Sequence, residues 1–347
     1  MKEFCRTLLL ICSLAVLQVV LPLNTFGKDE SRAVQRDWAA FPAIIEMDAP
    51  RELYAVGDVH GDYDRLVTLL IAAKLIGPGA ASPAEAKWLG GSAVLICTGD
   101  LIDKGKHSLK VVALFRALQA SASQAGGKVL VTMGNHEAEF LAAGDTDDKA
   151  EEFLKELEKH GLDPNTVAAG QDAQDVGKFL RSLPFAVRAG DWFFAHACNT
   201  DGRTLNALRI KLQDDVKSLG FGSPILSADD SLLEARLHPI PWWEREGDAP
   251  KESAGRLREF AQALGIKHFV MGHQPGAVKF SDGTKRKKGA LFQKFDGLMF
   301  LIDTGMSEAI DYSTGTILHI TILNGKASAK AIGVDGIPQE LWNENSN

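Results

Sequence analysis

Cysteine is scarce in this chain of 347 residues: there are four, and Cys5 and Cys12 fall in the apolar N-terminal stretch. That leaves Cys97 and Cys198, too few for a disulfide framework even in an oxidising compartment, so two buried free thiols are expected. An excess of positive charge is also missing, because 38 Lys and Arg face 45 Asp and Glu, for a formal charge of −7. Proteins that grip nucleic acid usually show a basic face, so no nucleic-acid partner is expected. A small phosphorylated substrate is compatible with this balance, since a local cationic site can sit in an acidic protein. There is no internal repeat. No apolar run reaches the roughly 20 residues that a spanning helix needs.

The longest such run, Leu8 to Leu23, is about 16 residues and is broken by Ser13, Gln18 and Pro22. Lys2 and Arg6 precede it, and Thr25-Phe26-Gly27 follows with small residues at the positions a signal peptidase reads. Residues 1–27 therefore read as a secretory signal, which implies a periplasmic or secreted protein with no stable membrane insertion after cleavage. The alternative is an uncleaved N-terminus that serves as a membrane anchor. Cys12 follows Leu9-Leu10-Ile11 rather than a small residue, which speaks against a lipoprotein.

With 45% hydrophobic and 24% charged residues, the remaining chain can bury a full core. Residues 28–50 read as a lead-in segment, 51–336 as the catalytic domain and 337–347 as a tail. The domain opens with β-α alternation: a strand at 52–57, a helix near 62–75, the apolar strand 93–97, a helix near 107–122 and the strand 128–133. Uninterrupted apolar strands between helices indicate a sheet covered on both faces. Helical insertions are expected at about 138–183 and 205–264, with strands at 185–188 and 192–195 between them. The last third reads as β-rich, over 268–271, 290–295, 298–303, 316–323 and 327–333. Lys285-Arg286-Lys287-Lys288 follows the hairpin-turn pair Asp282-Gly283 and reads as a solvated turn.

The chemistry gathers in five short clusters, each placed just after an apolar strand. They are Gly57-Asp58-Val59-His60-Gly61-Asp62, Gly99-Asp100-Leu101-Ile102-Asp103-Lys104-Gly105, Gly134-Asn135-His136-Glu137, Ala195-His196-Ala197 and Gly272-His273-Gln274-Pro275. Taken singly, each has a plain explanation: Asp100 or Asp103 could cap a helix, Asn135 could form an Asx turn, and His196 could be a satisfied core histidine. Repeated at five strand ends, the pattern points to ligands gathered in one crevice, where open α/β sheets place them. Carboxylates with neutral imidazoles form a hard-to-borderline donor set suited to Mn, Fe or Zn.

In this order, the motifs resemble the calcineurin-like metallophosphoesterase superfamily. Gly134-Asn135-His136-Glu137, with Pro275 where other members often carry a second His, resembles its phosphoprotein phosphatase type. Trp242-Trp243-Glu244-Arg245, Gly272-His273-Gln274-Pro275 and Ile302-Asp303-Thr304-Gly305-Met306-Ser307 are similar to the bacterial Shewanella-like branch. The resemblance implies an α/β fold of two mixed β-sheets sandwiched between helices, with helical insertions over a two-metal site. It implies Asp58, His60 and Asp100 at one metal, and a bridging Asp100, Asn135, His196 and His273 at the other. A metal-bridging hydroxide would then attack a phosphomonoester in line.

His136 corresponds to the family's general acid, and Asp103 would hold it cationic. Lys104 stands where the family usually has Arg, giving a point charge in place of a bidentate fork on the phosphate. Asn135 and Arg245 complete the implied phosphate contacts, although Arg245 could equally pair with a neighbouring Glu. Asp303 either supports the site or ends a strand, and stays outside the ligand set. Two other functions compete with a protein phosphatase-like enzyme. A diadenosine polyphosphate or nucleotide hydrolase shares the first two motifs but more often has Asp where Glu137 stands. An inactive metal- or phosphate-binding module would have lost a ligand or the His136–Asp103 pair, and none is lost.

Overall fold

The computed structural model describes residues 36–79 and 82–345, so the segment read as a signal, with its cleavage position near Gly27, lies outside the described residues. In chain order the first strands are β1 (Ile44–Met47), β2 (Glu52–Val56), β3 (Val94–Cys97), β4 (Lys128–Val131), β5 (Ala186–Ala189), β6 (Trp192–Ala195) and β7 (His268–Met271). They are followed by β8 (Val278–Lys279), β9 (Lys285–Arg286), β10 (Phe292–Lys294), β11 (Met299–Leu301), β12 (Thr316–Leu323), β13 (Lys326–Gly333) and β14 (Pro338–Asn343). The helices are α1 (Tyr63–Ala72), α2 (Ser108–Gln124), α3 (Asn135–Ala143), α4 (Glu151–Lys159), α5 (Pro164–Ala168), α6 (Val176–Ser182), α7 (Leu205–Leu219), α8 (Pro224–Ser227) and α9 (Pro250–Leu264).

Two mixed sheets of six strands result, in the orders β14-β13-β12-β2-β3-β4 and β1-β5-β6-β7-β11-β10. Successive side chains of a strand point to opposite faces, and this builds the layers. Trp192 and Phe194 of β6 join Leu53, Ala55, Val94 and Ile96 in one apolar cluster that lies between the sheets. Their neighbours Phe193 and Ala195, with Leu95 and Cys97 of β3, belong to a second cluster that includes Leu66 and Leu70 of α1 and Val111 and Phe115 of α2. Each sheet is thus apolar on both faces, as its uninterrupted apolar strands require. Burying one such Phe or Leu contributes about 1.5–3 kcal/mol. Cys97 and Cys198 are free and buried.

Three parts of the expected layout change. The lead-in contains β1, which pairs in parallel with β5, from Ile44 opposite Ala186 to Met47 opposite Ala189. The presumed tail contains β14, which pairs antiparallel with β13 and buries Trp342 against the inter-sheet core. Both are edge strands, too short for a pattern to stand out before their partners are known. The stretch 205–264 is helical mainly at its ends, in α7 and α9, while 228–249 carries Pro239 and Pro241 and runs as turns and bends. Among the described residues, no helix is long and apolar enough to cross a membrane.

Candidate metal centre

Carboxyl ends of strands from both sheets converge on one crevice. In the first sheet the parallel strands β2, β3 and β4 lead into Asp58 and His60, Asp100 and Asp103, and Asn135 and His136. In the second, the parallel strands β6, β7 and β11 lead into His196, His273 and Asp303. All nine side chains are buried. The backbone that aims them is unusual: φ is 45° at His60, 52° at Asp100, 65° at Asp103, 59° at Lys104 and 60° at His273. Non-glycine residues seldom adopt this left-handed region, and strain of this kind gathers at functional sites. The ligand loops are also close-fitted, since a Cβ on Gly134 would lie 2.1 Å from Asp100 Oδ1 and one on Gly272 2.4 Å from Asp58 Oδ1.

Each of three histidines has one ring nitrogen against a backbone carbonyl, which can only accept. His196 Nδ1 donates to Thr98 O at 2.8 Å, His60 Nδ1 to Ile102 O at 3.3 Å, and His273 Nε2 to Glu234 O at 3.2 Å. In the neutral rings, the lone pairs then fall on His196 Nε2, His60 Nε2 and His273 Nδ1, the arrangement that second-shell carbonyls impose on metal-binding histidines. His196 Nε2 and His273 Nδ1 stand 2.9 Å apart, and two lone pairs at that distance require a proton or a cation.

Electrostatics agrees with the second possibility as well as the first. Burial lowers the His196 imidazole, yet Asp100 and Asp58 outweigh it and hold it at about 10. Burial pushes His60 down to about 3 against the pull of Asp100, and lowers His273 well below its usual value, with His196 adding to the effect. Ligand atoms of His60, Asp100 and His136 lie within 4.8 Å of one another, and so do those of Asp100, His196 and His273. Asp100 belongs to both groups, and the oxygen and imidazole donors fit a pair of hard-to-borderline cations.

Asp58 accepts the His273 backbone N–H at 3.0 and 3.2 Å, and burial followed by the charge of Asp303 pushes its carboxyl well above the usual range. Asn135 Oδ1 lies 3.0 Å from His196 Nε2, and Lys104 Nζ lies 3.3 Å from His60 Nε2. His136 Nδ1 is 3.4 Å from Asp103 Oδ2, while its backbone N–H donates to Asp100 Oδ1 at 3.1 Å. Burial works against the charged ring, but Asp100 and Asp103 together raise His136 above its ordinary value.

Arg245 lies in the irregular segment that precedes α9. It is exposed, its backbone N–H donates to Asp248 Oδ2 at 2.7 Å, and its charge bears on that carboxylate. Arg236 touches the His273 loop, its Nη1 donating to His273 O at 2.9 Å.

Two supporting residues were not legible as such. Glu137 is fully buried and accepts four backbone N–H groups: Asp100 and Gly134 on Oε2 at 2.9 and 2.8 Å, Leu101 and Ile102 on Oε1 at 2.7 and 3.2 Å. It pins the Asp100 loop to the start of α3. Arg286, from the basic run, is 1% exposed and donates to the carbonyls of Gln274, Gly276, Ala290 and Asp303, tying the His273 loop to the end of β11. A Glu at the third position of a helix hints at the first role. Nothing in the basic run marks Arg286 apart from its neighbours.

The family model described as calcineurin-like phosphoesterase matches residues 52–277, more than half of the chain, from β2 to just beyond His273. The chain belongs to the calcineurin-like phosphoesterase family. It is a metal-dependent hydrolase of phosphoesters, with the two-sheet fold of that family. An uncharacterized protein of Schizosaccharomyces pombe is 39% identical over 272 residues, covering 75% of this chain and 74% of its own. Shewanella-like protein phosphatase 1 of Plasmodium berghei is 24% identical over 297 residues, covering 82% and 75%. Among solved structures, the cold-active protein-tyrosine phosphatase of a psychrophilic Shewanella species superposes with a TM-score of 0.62 at 20% identity, covering 86% of this chain and 82% of that one, and so shares the fold.

Proposed function

We propose that this metallophosphoesterase is a phosphomonoesterase of the protein-phosphatase kind, releasing phosphate from phosphorylated side chains or small phosphoesters. The similarity to a Shewanella-like protein phosphatase along 82% of the chain carries this assignment. One cation, drawn from Mn, Fe or Zn, is assigned to Asp58, His60 and Asp100, and a second to Asp100, Asn135, His196 and His273. Bound there, the two ions supply an acidified water and positive charge for the phosphoryl oxygens.

The chain's own side chains do the rest. Lys104, beside His60, offers an ammonium to a phosphate oxygen, and Asn135 can donate its amide N–H to another. His136, kept cationic by Asp100 and Asp103, gives its proton to the leaving oxygen as the P–O ester bond breaks. Arg236, rather than Arg245, is the arginine assigned to the mouth of the site. The apolar run after Lys2 and Arg6 supports export to the periplasm or medium as a second part of the proposal.

The test is kcat/KM of the purified protein on phosphotyrosine and phosphoserine peptides, a nitrophenyl ester and diadenosine tetraphosphate, with each metal restored in turn. A phosphomonoester should be the best substrate. Diadenosine tetraphosphate exceeding every monoester would overturn the assignment in favour of a dinucleotide hydrolase.

A further inference from the structure

A cavity of about 340 Å³ opens at Lys104, with Lys106 and His107 on one wall and Asp62, Asp64 and Glu308 among the other lining residues. A second cavity, of about 550 Å³, shares Lys106 and His107 with the first and continues between α2 and α4, lined by Lys110, Lys155, Lys159 and His160. The two form one path that leads away from the metal centre and becomes cationic as it goes. Its inward-facing acid, Glu156, is buried and accepts the Leu109 N–H, while Glu152 and Glu151 are occupied by Lys155. Lys106, Lys110 and Lys159 are exposed, and among the described residues none lies within 4 Å of a carboxylate.

This clustering costs the fold something. Lys110 sits in the first turn of α2, which has no acidic residue, and Lys106 lies just before it. The positive end of a helix dipole disfavours cations there. Lys155 and Lys159 are like charges four residues apart on α4, but Lys155 pairs with Glu151 and Glu152 and Lys159 stands in the last turn, where a cation is favoured, so the cost falls on α2. In a chain of net charge −7, a groove wall on which Lys106, Lys110 and Lys159 are exposed with no described carboxylate within 4 Å is complementary to an anionic ligand.

We infer that this groove docks a carboxylate-rich stretch of the substrate polypeptide, next in sequence to its phosphorylated residue. The inference rests on the phosphoprotein assignment above, and adds to it a preference for acidic flanks. Lys104 receives the phosphate, and Lys106, Lys110 and Lys159 receive Glu or Asp side chains farther along the peptide.

The experiment compares three phosphopeptides that share one core: neutral flanks, Glu residues on the N-terminal side, and Glu residues on the C-terminal side. Nitrophenyl phosphate serves as a control that is too small to reach the groove. One acidic peptide should be preferred, and the preference should fade as added salt shortens the screening length. Lys110→Glu with Lys159→Glu should lower kcat/KM on that peptide about tenfold, leaving the neutral peptide and nitrophenyl phosphate unchanged. Because Lys110 lies 5.7 Å over the Tyr63 ring, Lys159→Glu alone is the safeguard should the double variant misfold. Equal rates on all three peptides, or an equal loss on every substrate, would overturn the inference. If no phosphopeptide is hydrolysed, the phosphoprotein assignment fails separately. Anisotropy of a fluorescein-labelled, unphosphorylated Glu-rich peptide then decides the groove: binding lost in Lys159→Glu supports it, and no binding to the native chain sinks it.

Discussion

His196 Nε2 and His273 Nδ1 face each other at 2.9 Å, with each ring's other nitrogen turned to a backbone carbonyl. Such a pair is comfortable only with positive charge beside it, and Asp100 is the carboxylate common to both donor groups. Chelation should therefore lower Tm, and metal at about 100-fold over Kd should return about 2.7 kcal/mol per site. In Asp100→Asn, bound metal and turnover should fall together, turnover by about 10²-fold or more, and the chelator should no longer shift Tm. Calorimetry beside elemental analysis measures both. Two metals retained with near-normal turnover in the variant would refute the assignment.

For His136→Asn, both metals should stay bound while the leaving group loses its proton source. General acid catalysis is worth about 10²–10⁴-fold, and most where the leaving oxygen is basic. The variant should lose far more activity on an alkyl phosphate such as phosphoserine than on the nitrophenyl ester, whose phenolate departs almost unaided. Asp103→Asn should show the same order more weakly, since its carboxylate only charges and orients the ring. The comparison needs kcat under conditions where chemistry limits the rate. Equal losses on the two esters would leave His136 without an acid role.

Glu137→Gln tests the pin between the Asp100 loop and α3. An amide keeps one accepting oxygen, so one of the two pairs of N–H groups would meet an NH₂ instead. Leaving buried donors unpaired costs about 1–3 kcal/mol each, so a loss of about 3 kcal/mol or more is expected in urea unfolding. A change below about 0.5 kcal/mol would mean that the loop holds itself.

Burial pushes the Glu156 carboxyl up to about 7 from a usual value of about 4.5. The folded chain therefore binds this proton more tightly than the unfolded one. The associated stability is complete below pH 4.5 and is lost as the pH rises through 7. Glu156→Gln cannot lose it, so its stability relative to the native chain should improve between pH 5 and pH 8. Unfolding curves of both proteins at the two values isolate the effect, and a constant difference would exclude it.

The strand-end grammar was readable because ligand chemistry needs particular residue types at particular turns, and Asp58, His60, Asp100, Asn135, His196 and His273 meet in one crevice as that grammar implies. What stayed hidden is set by pairing across the chain. Ile44–Met47 becomes a strand only beside Ala186–Ala189, and Trp342 is core only once β13 offers it a neighbour. Arg286 was hidden among like neighbours: Lys285, Lys287 and Lys288 are exposed, while Arg286, the second residue of the two-residue β9, turns inward to four carbonyls. Arg236 sits in an irregular segment with no periodicity to aim it, so nothing local marked its contact with the His273 loop.

The two sheets share the donors unequally in time as well as space. Asp58 accepts from His273 across 215 residues of chain, with Asp100 and His196 between them in sequence. A polypeptide still being synthesised owns the first-sheet donors long before it owns the last one, and cannot close the His196–His273 contact until Gly272-His273 has been made. Prematurely ended chains would carry Asp58, His60 and Asp100 without the partners from β6 and β7. The full donor set therefore exists only once His273 has been made, and closing it requires both sheets to have docked.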